Sequence, residues 1–442
     1  MTAPNLEYIS LNNALKQTLP LNFCINLDTT ITRAELLADT VTLSEKLPKN
    51  KRYAINLCQD RYLFIVSFLA VCIRQQISLL PQNQAANTIQ VLSESYSESY
   101  ILSDDAELAD FLISPPLLNN KSQQPFPDIA LDQPISISFT SGSTGKPKAI
   151  SKTWREFQTS AQLALQQLNL ENQAISLVST APMQHMFGLE TCLFWVLFSK
   201  LSLHNSRPFY PEDIRITLAS LPGEKILIST PRHLKACSQQ SIIWPTIKLI
   251  LSSTAPLSQT LAKQIEQTLQ APIYELFGST ETLSFASRQT TQTELWQPYN
   301  TIQLQKIGAQ FLLQGGHIQP ARYLDDQFSI NEKGHFILQG RASDLIKVAG
   351  KRASLNSLNQ LLNQIEGVDD GVFFPSKNER LSAIVVSQLP KTSILQALKP
   401  LMDEVFLPRS LYLADALPRN EMGKLIKNDL DQLIRAHQLA NK

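Results

Sequence analysis

The stretch FTSGSTGKPKAISKTW, which runs from Phe139 to Trp154, contains an unusual loop sequence. Its residues Thr140 to Lys148 include four hydroxyl groups, two glycines and two lysines. A strand-like run precedes this loop, and a helix is predicted from about Trp154. Glycine lets a backbone approach a ligand closely, and hydroxyls together with free N–H groups hold phosphate oxygens. The stretch therefore predicts a phosphate-binding loop between a strand and a helix.

Two familiar phosphate-binding motifs do not fit the loop. The P-loop requires Gly, four residues, Gly-Lys and then Ser or Thr, but Thr140 holds its first position and Pro147 follows the lysine. The dinucleotide motif Gly-x-Gly-x-x-Gly requires three glycines, and only Gly142 and Gly145 are present. For an arbitrary run of Ser and Gly, a flexible surface loop would be the simplest interpretation.

The nine residues TSGSTGKPK match every position of the signature loop of the adenylate-forming superfamily. This superfamily comprises acyl-CoA synthetases, aryl-acid ligases, luciferases and the adenylation domains of peptide synthetases. The chain resembles it from about residue 30 to residue 430. The resemblance implies that the loop binds the nucleotide through Thr140, Ser141, Gly142, Ser143, Thr144, Gly145 and Lys148.

Two later segments match the superfamily in the same order along the chain. The segment PMQHMFGLE contains His185 and Gly188, and the resemblance implies that His185 packs at the acyl pocket and shifts between reaction steps. The segment YELFGSTETLS matches at Gly278, Thr280 and Glu281. The resemblance implies that Gly278 lies against the nucleotide, that Thr280 donates to its α-phosphate and that Glu281 helps to hold Mg²⁺.

The acyl pocket is expected to be apolar. The segment LSSTAPLS corresponds to a superfamily stretch that frames the adenine and the acyl group, and Ser253 and Thr254 replace very small residues there. These larger side chains predict a narrower pocket, which His185 and Phe277 complete. No Asp stands out to pair with the ammonium group of an amino acid, so an apolar, aromatic or medium-chain acid is favoured.

The last matching segments lie towards the C-terminus. In YLDDQFSINEKGHFILQGR, Asp326 and Arg341 match the residues that contact the ribose. The resemblance implies a hinge at Ser343 or Asp344. In LPRNEMGKLIK, Lys424 is the counterpart of the catalytic lysine of the superfamily.

Helical and strand-like segments alternate along most of the chain. ITRAELLADTVTLSEKL has the apolar spacing of an amphipathic helix, and the β-rich run KILIST precedes PRHLKAC, a predicted helix. Short β-rich runs between helices predict an α/β fold with layered, mostly parallel sheets. After the turn at Gly340–Arg341, a short helix, a strand pair and another helix predict a small, mobile α+β domain. The expected division is residues 1–340, which bind AMP, and residues 341–442, which carry the lysine.

Composition narrows the class of protein. The net charge is +1 at pH 7, so no basic field argues for a nucleic-acid partner. The five cysteines are scattered without a Cys-x-x-Cys pair, which suits a reducing compartment. The apolar run YLFIVSFLAVCI is well short of the roughly 20 residues that span a bilayer, and the N-terminus lacks the pattern of a signal peptide. We expect a cytoplasmic protein without a membrane span.

These features predict an AMP-forming carboxylate–thiol ligase that uses ATP and Mg²⁺. Its first step, acyl-AMP formation, needs charge neutralisation and alignment, for which we expect Lys424, Thr280 and His185 as catalytic residues. The compact chain resembles the small synthetases of bacterial fatty-acid-like and aryl-polyene clusters. This resemblance implies a hydroxybenzoate, a cinnamate or a medium-chain fatty acid as substrate. It also implies CoA or the 4'-phosphopantetheine of an acyl carrier protein as acceptor.

A second function stays open at this point. Leu324-Asp325 replaces the Thr-Gly that usually precedes Asp326, and Leu355-Asn356-Ser357 replaces the Pro-x-Glu that usually follows the hinge. The alternative is therefore a non-catalytic or regulatory nucleotide-binding homologue. The retention of both Glu281 and Lys424 favours catalysis.

Overall fold

The computed structural model describes residues 7–15, 18, 21–26, 29–114, 126–140, 148–341, 345–348, 351–376, 380–420 and 423–440. Helices and strands alternate along these residues, and layered sheets are followed by a smaller C-terminal sheet. This architecture confirms the predicted α/β fold class.

The strands, in chain order, are β1 (Tyr8–Ile9), β2 (Asn22–Ile25), β3 (Thr30–Thr32), β4 (Tyr53–Asn56), β5 (Ile77–Leu80), β6 (Ser99–Ser103), β7 (Phe111–Leu112), β8 (Ile129–Ala130), β9 (Pro134–Thr140), β10 (Lys148–Thr153), β11 (Ser176–Ser179), β12 (Ser202–His204), β13 (Lys225–Ser229), β14 (Leu249–Ser252), β15 (Ile273–Ser279), β16 (Leu283–Gln289), β17 (Gln297–Pro298), β18 (Gln303–Ile307), β19 (Gln310–Gly315), β20 (Ile318–Leu324), β21 (Asp326–Ile330), β22 (Phe336–Arg341), β23 (Leu345–Val348), β24 (Lys351–Ser354), β25 (Val368–Pro375), β26 (Leu381–Ser387) and β27 (Ser410–Leu413).

The helices are α1 (Leu11–Ala14), α2 (Arg33–Lys46), α3 (Arg61–Ile73), α4 (Ala86–Ser95), α5 (Trp154–Gln167), α6 (Met186–Leu189), α7 (Trp195–Leu197), α8 (Pro211–Ser220), α9 (Pro231–Ser238), α10 (Gln259–Leu269), α11 (Leu355–Asn363), α12 (Lys391–Leu398) and α13 (Lys427–Ala440). A π-helical turn, Glu190–Phe194, joins α6 to α7, and a 3₁₀ turn covers Glu404–Phe406.

Two large sheets form the layers of the fold. One has the strand order β17-β16-β15-β14-β13-β11-β12-β2-β3 and is parallel from β15 to β2. The other has the order β10-β9-β5-β4-β6-β7 and is parallel except for the β9–β10 hairpin. The smaller sheets are β1-β8, β18-β19-β20, β21-β22, β23-β24 and β25-β26-β27. The parallel strands of one sheet point the same way, so their carboxyl ends meet at one edge.

Two early helices begin at the caps that their residues favour. A capping box starts α2, in which the Thr32 hydroxyl accepts the N–H of Glu35 and the Glu35 carboxylate accepts the N–H of Thr32. The Asp60 carboxylate accepts the N–H of Leu63 and starts α3, which is buried on every face from Arg61 to Cys72. The apolar run is therefore a core helix. Among the helices that the structure describes, none is long and apolar enough to cross a bilayer.

The strand β10 lies between the signature loop and α5 and was not predicted. It pairs antiparallel with β9, so that Lys148 lies opposite Thr140. Ile150 and Lys152 are buried while the residues between and before them are exposed, which is the alternation of a strand with one covered face. The sequence does not show this alternation, because the buried position 152 holds a lysine and not an apolar residue. The predicted helix does begin at Trp154.

The largest apolar cluster joins α2, α3, α5 and the helical segment from α6 to α7. Within it, the ring of Phe157 stacks on that of Phe194 with centroids 4.2 Å apart. All five cysteines are buried and free. Burial raises the pKa of Cys58 and of Cys237 to about 12, so these two thiols are protonated at neutral pH.

The residues that follow β22 form apolar clusters of their own. Val368 and Phe373 belong to a cluster in which α11 and α12 cover one face of the β25-β26-β27 sheet. Phe374 and Ile384 belong to another cluster, in which α13 covers the opposite face. These clusters begin after the predicted boundary at Gly340–Arg341. The division into residues 1–340 and 341–442 stays a prediction.

Candidate active site

The carboxyl edge of the nine-stranded sheet carries turns that are rich in hydroxyl groups. Four of its strands end there, β11 at Ser179, β13 at Ser229, β14 at Ser252 and β15 at Ser279. The hydroxyls of Thr180 and Ser229 lie 2.9 Å apart, so two neighbouring turns are in contact. In open α/β sheets, ligands bind outside the carboxyl ends of the strands. This edge is therefore the candidate active site.

Thr280 and Glu281 lie at the tip of a hairpin turn between β15 and β16. The N–H of Thr282 donates to the carbonyl of Ser279 at 3.2 Å, and the N–H of Ser279 donates to the hydroxyl of Thr282 at 3.0 Å. Both tip residues are partly exposed. The turn thus holds a hydroxyl and a carboxylate next to each other and open to solvent.

Gly278 lets the two strands of this hairpin approach each other closely. A Cβ atom at this position would lie 2.0 Å from the carbonyl oxygen of Leu283, which is shorter than any real contact of that kind. The register of the hairpin also shifts between Phe277 and Gly278, which marks a β-bulge. Backbone packing therefore requires the glycine that the motif contains.

The backbone of this turn accepts hydrogen bonds from two buried side chains. Neither was predicted as a site residue. The Nζ atom of Lys152 donates to the carbonyl of Glu281 at 2.6 Å and pairs with the carboxylate of Glu156 at 2.7 Å. The Nε2 atom of His317 lies 2.8 Å from the carbonyl of Thr282, so it carries the proton of this hydrogen bond. Neither residue belongs to a matched motif. The one signal in the sequence was a lysine at an inward position of β10.

His185 caps the short helix α6. Its Nδ1 atom accepts the N–H of Phe187 at 3.3 Å. Gly188 lets the helix pack on the preceding turn, because a Cβ atom there would lie 2.0 Å from the carbonyl oxygen of Pro182. Burial lowers the pKa of His185 to about 3, with a smaller contribution from the positive charge of Lys424. The imidazole is therefore neutral at neutral pH.

We expect His185 to make the protein less stable as the pH falls from 7 to 5. Its pKa in the folded state lies below the ordinary value, so the unfolded state binds more protons in this window and stability is lost on acidification. One such histidine contributes about 2 kcal/mol over this interval. In urea unfolding at both pH values, His185→Asn should lose less free energy of unfolding on acidification than its parent. Asparagine is chosen because its side chain can still accept the N–H that caps the helix. If the variant and its parent lose the same free energy of unfolding between pH 7 and pH 5, the direction of this pKa shift is wrong.

One predicted acyl-pocket residue, Phe277, lies in a cluster of aromatic rings. Phe277 is half-buried, and its ring centroid lies 5.3 Å from that of Phe285 and 5.1 Å from that of Trp296. The hydroxyl of Ser253 donates to a backbone carbonyl of β15 at 3.0 Å. Thr254 has a φ of +82°, which β-branched residues rarely adopt. Thr254 is therefore a β-branched residue in a strained backbone conformation.

The two predicted ribose residues, Asp326 and Arg341, lie opposite each other in the β21–β22 hairpin. Phe328, two residues after Asp326, makes an edge-to-face contact with Phe277 at a centroid distance of 6.1 Å. The structure thus brings this hairpin against the strand that leads into the Thr280–Glu281 turn. The contacts to ribose stay predictions.

The signature loop is described only at its ends. Thr140 ends β9 and Lys148 begins β10, where the two residues are paired. The other predicted loop residues and both hinge residues lie outside the described residues, namely Ser141, Gly142, Ser143, Thr144, Gly145, Ser343 and Asp344.

Hydrogen bonds brace the loop that carries Lys424. Its N–H donates to the side-chain oxygen of Asn420 at 3.0 Å, and the N–H of Asn420 donates back to its carbonyl at 2.9 Å. Arg419 donates to another loop carbonyl at 2.7 Å and forms a two-point ion pair with Asp370. The side chain of Lys424 is exposed, and its positive charge contributes to the low pKa of His185. The catalytic roles of both residues stay predictions.

The C-terminal part of the chain contacts the rest at helix α9. The Nζ atom of Lys235 donates to the carbonyls of Val368 and Asp369, each at 3.1 Å. The loop glycine Gly423 lies against Arg232, since a Cβ atom on the glycine would be 3.7 Å from the Cβ atom of the arginine. These contacts hold the lysine loop at the carboxyl edge of the sheet.

The carboxylate of Glu281 suits a magnesium ion that is shared with phosphates. Among the described residues, no group of three or more His, Cys, Asp and Glu side chains forms a metal site. Mg²⁺ keeps several water or phosphate oxygens as ligands and needs only one or two carboxylates from the protein. The partly exposed tip of the turn fits that requirement.

Comparison with known proteins identifies the family of the chain. Residues 40–313, more than half of the chain, match a family described as AMP-binding enzyme. The chain is 24% identical over 332 residues to a putative long chain fatty acid-CoA ligase, VraA, of Staphylococcus haemolyticus, which covers 69% of this chain and 71% of that protein. It is also 24% identical over 331 residues to the 2-succinylbenzoate–CoA ligase of Staphylococcus epidermidis, which covers 67% and 69% of the two chains.

Solved structures share the fold. The o-succinylbenzoate coenzyme A synthetase MenE of Bacillus subtilis, in complex with AMP, has a TM-score of 0.82 at 18% identity and covers 96% of this chain and 98% of its own. The anthranilate CoA ligase AuaEII, in complex with anthranoyl-AMP, has a TM-score of 0.82 at 17% identity and covers 100% of both chains. The predicted superfamily is confirmed, and the chain belongs to the family of AMP-binding enzymes.

Proposed function

We propose that the protein activates a carboxylic acid with ATP to form an acyl-AMP and then transfers the acyl group to a thiol. One observation supports this most strongly. The loop with Lys424 packs against helix α9 at the sheet edge that also carries the Thr280–Glu281 turn. An ammonium, a hydroxyl and a carboxylate at one edge suit the reaction of a carboxylate with a nucleotide phosphate.

In the first step, a carboxylate oxygen attacks the α-phosphorus of ATP. The bond to the bridging oxygen breaks, and pyrophosphate leaves with the electron pair. The acid is already ionised at neutral pH, so no general base is needed. Lys424 would neutralise the repulsion between the two anions, and Thr280 would donate its hydroxyl to an α-phosphate oxygen. Neutral His185 would pack against the acyl group.

The remaining nucleotide contacts are assigned by the superfamily motifs. Asp326 and Arg341 would bind the ribose, and Gly278 would let the nucleotide approach β15. The loop from Thr140 to Lys148 would hold the phosphates. Mg²⁺, held by Glu281 and phosphate oxygens, would offset the negative charge that develops on pyrophosphate.

The second step is assigned to a rearranged C-terminal domain. Rotation at the hinge residues Ser343 and Asp344 would withdraw Lys424 and admit the thiol, which displaces AMP from the acyl carbon. The hydrogen bonds of Lys235 to the C-terminal part would break in this rotation. This division into residues 1–340 and 341–442 lets one edge of the sheet serve both steps in turn.

An apolar or aromatic acid and CoA are the favoured substrates. The names of the relatives include long chain fatty acid, 2-succinylbenzoate and anthranilate ligases of CoA, which supports this class. The aromatic rings around Phe277 also suit an apolar acyl group. We keep a hydroxybenzoate, a cinnamate or a medium-chain fatty acid as candidates and a carrier-protein phosphopantetheine as a second acceptor. The buried free thiols suit a reducing compartment such as the cytoplasm.

Exchange of labelled pyrophosphate into ATP tests the first step directly. We expect Mg²⁺-dependent exchange with at least one benzoate, cinnamate or C6–C14 fatty acid. The same acid should give a thioester, detected by mass, with CoA or with a carrier protein offered in parallel. Binding of AMP without exchange for any acid of this panel would instead favour a non-catalytic nucleotide-binding protein.

A further inference from the structure

Lys152 is a buried lysine whose ammonium group contacts the back of the Thr280–Glu281 turn. Its side chain is 1% exposed. The Nζ atom donates to the carbonyl of Glu281 at 2.6 Å and to the carboxylate of Glu156 at 2.7 Å. A buried ammonium is costly unless it is paired and hydrogen-bonded. The protein therefore keeps a buried positive charge in contact with the backbone of Glu281, the residue proposed to bind Mg²⁺.

The ion pair with Glu156 does not by itself account for this lysine. The Glu156 carboxylate also accepts the N–H of Thr153 at 2.9 Å and so caps helix α5. Arg322 lies 4.0 Å from the same carboxylate and offers it a second positive charge. An apolar residue would fill the inward position of β10 at lower cost. The remaining contact of Lys152 is the hydrogen bond to the carbonyl of Glu281, and it requires a long side chain that ends in a donor.

A second buried residue holds the adjacent carbonyl of the same turn. His317 donates through Nε2 to the carbonyl of Thr282 at 2.8 Å. Burial lowers the pKa of His317 to about 4, so this donor is a neutral imidazole. Two consecutive carbonyls of the turn are thus tied to side chains from distant parts of the chain. Such anchoring restricts the positions that the Glu281 carboxylate can take.

The strand β10 also links this turn to the signature loop. Lys148 begins the strand at the loop, and Lys152 lies four residues further on the same face. At about 3.3 Å per residue, their backbones are roughly 13 Å apart. The strand therefore fixes the distance between Lys148, which is proposed to contact phosphate, and Lys152, which contacts the turn of Glu281.

We propose that Lys152 is a positioning residue that preorganises the Glu281 carboxylate for Mg²⁺ and ATP. It acts through the backbone of the turn and touches neither substrate nor metal. The inference rests on the proposed function, because it takes Glu281 as the metal ligand. A carboxylate held in place before binding loses less conformational freedom when the metal arrives.

The test compares Lys152→Met, which keeps the length of the side chain and removes its charge, with Glu281→Gln and a control. Lys248→Met is the matched control, because Lys248 forms a 2.7 Å ion pair with Glu224 at the opposite end of β14. Amide hydrogen exchange of peptides covering residues 276–286, without nucleotide or metal, should accelerate at least tenfold in Lys152→Met only. The Mg²⁺ concentration for half-maximal pyrophosphate exchange should rise at least fivefold in Lys152→Met and in Glu281→Gln.

The two readouts separate failure of the inference from failure of the proposed metal site. If Lys152→Met is folded and changes neither readout beyond twofold while Glu281→Gln raises the Mg²⁺ requirement, the inference alone is wrong. If Glu281→Gln leaves that requirement unchanged, the metal assignment is wrong and the inference falls with it. Should Lys152→Met not fold, Lys152→Gln, whose shorter neutral side chain removes the ammonium contact to the carbonyl of Glu281, decides by the same two measurements.

Discussion

Replacement of Lys424 by alanine is expected to lower acyl-AMP formation about 10²–10³-fold, the loss typical for one preorganised electrostatic contact. Hydrogen bonds of 2.7–3.0 Å join Arg419 and Asn420 to Gly423 and Lys424 and hold the backbone of the lysine in place. Its side chain is exposed, and its positive charge adds to the burial that lowers the pKa of His185. Removal of this charge leaves the carboxylate and the α-phosphate to repel each other in the first step.

The same variant should transfer an acyl group from supplied acyl-AMP to the thiol almost as fast as the parent. The second step is expected to proceed with Lys424 withdrawn, so the loss of its charge matters little there. Pyrophosphate exchange and thioester formation from synthetic acyl-AMP measure the two steps separately. Lys427→Ala, three residues further along, controls for loss of a nearby positive charge. Exchange by Lys424→Ala within tenfold of the parent would refute the assignment.

Replacement of Gly278 by alanine is expected to reduce both stability and adenylation. The added methyl group would lie 2.0 Å from the carbonyl oxygen of Leu283, so the backbone of the hairpin must move. Overpacking of this kind typically costs about 1–3 kcal/mol. Because Thr280 and Glu281 form the tip of that hairpin, their displacement should lower pyrophosphate exchange at least ~10²-fold, as a misplacement of about 1 Å does elsewhere.

Gly308→Ala is the matched control for Gly278→Ala. Gly308 has a φ of +61°, and a Cβ atom there would have no neighbour within 4 Å. Alanine in this left-handed conformation should cost about 1–2 kcal/mol without a change in exchange activity. Urea unfolding and pyrophosphate exchange on both variants distinguish strain at a remote turn from distortion of the site. Full activity of folded Gly278→Ala would show that the turn tolerates displacement.

The local motifs predicted much of the candidate site. Glycines such as Gly188 and Gly278 were matched by spacing, and the structure supplies their reason, since each lies where a Cβ atom would strike a backbone carbonyl. Helices with strong caps and apolar spacing, such as α2, α3 and α5, were also predictable. The strand β10 was missed because its inward lysine breaks the pattern of alternating apolar residues.

The fold class, the family and the candidate residues from Thr140 to Lys424 could be predicted from the sequence, because each depends on a short motif or on a local apolar period. The residues that support those motifs from distant parts of the chain could be identified only from the folded structure. Lys152 and Glu281 are 129 positions apart, and His317 and Thr282 are 35 apart. Such contacts arise from the pairing of strands and the packing of layers, and short-range sequence patterns do not encode them.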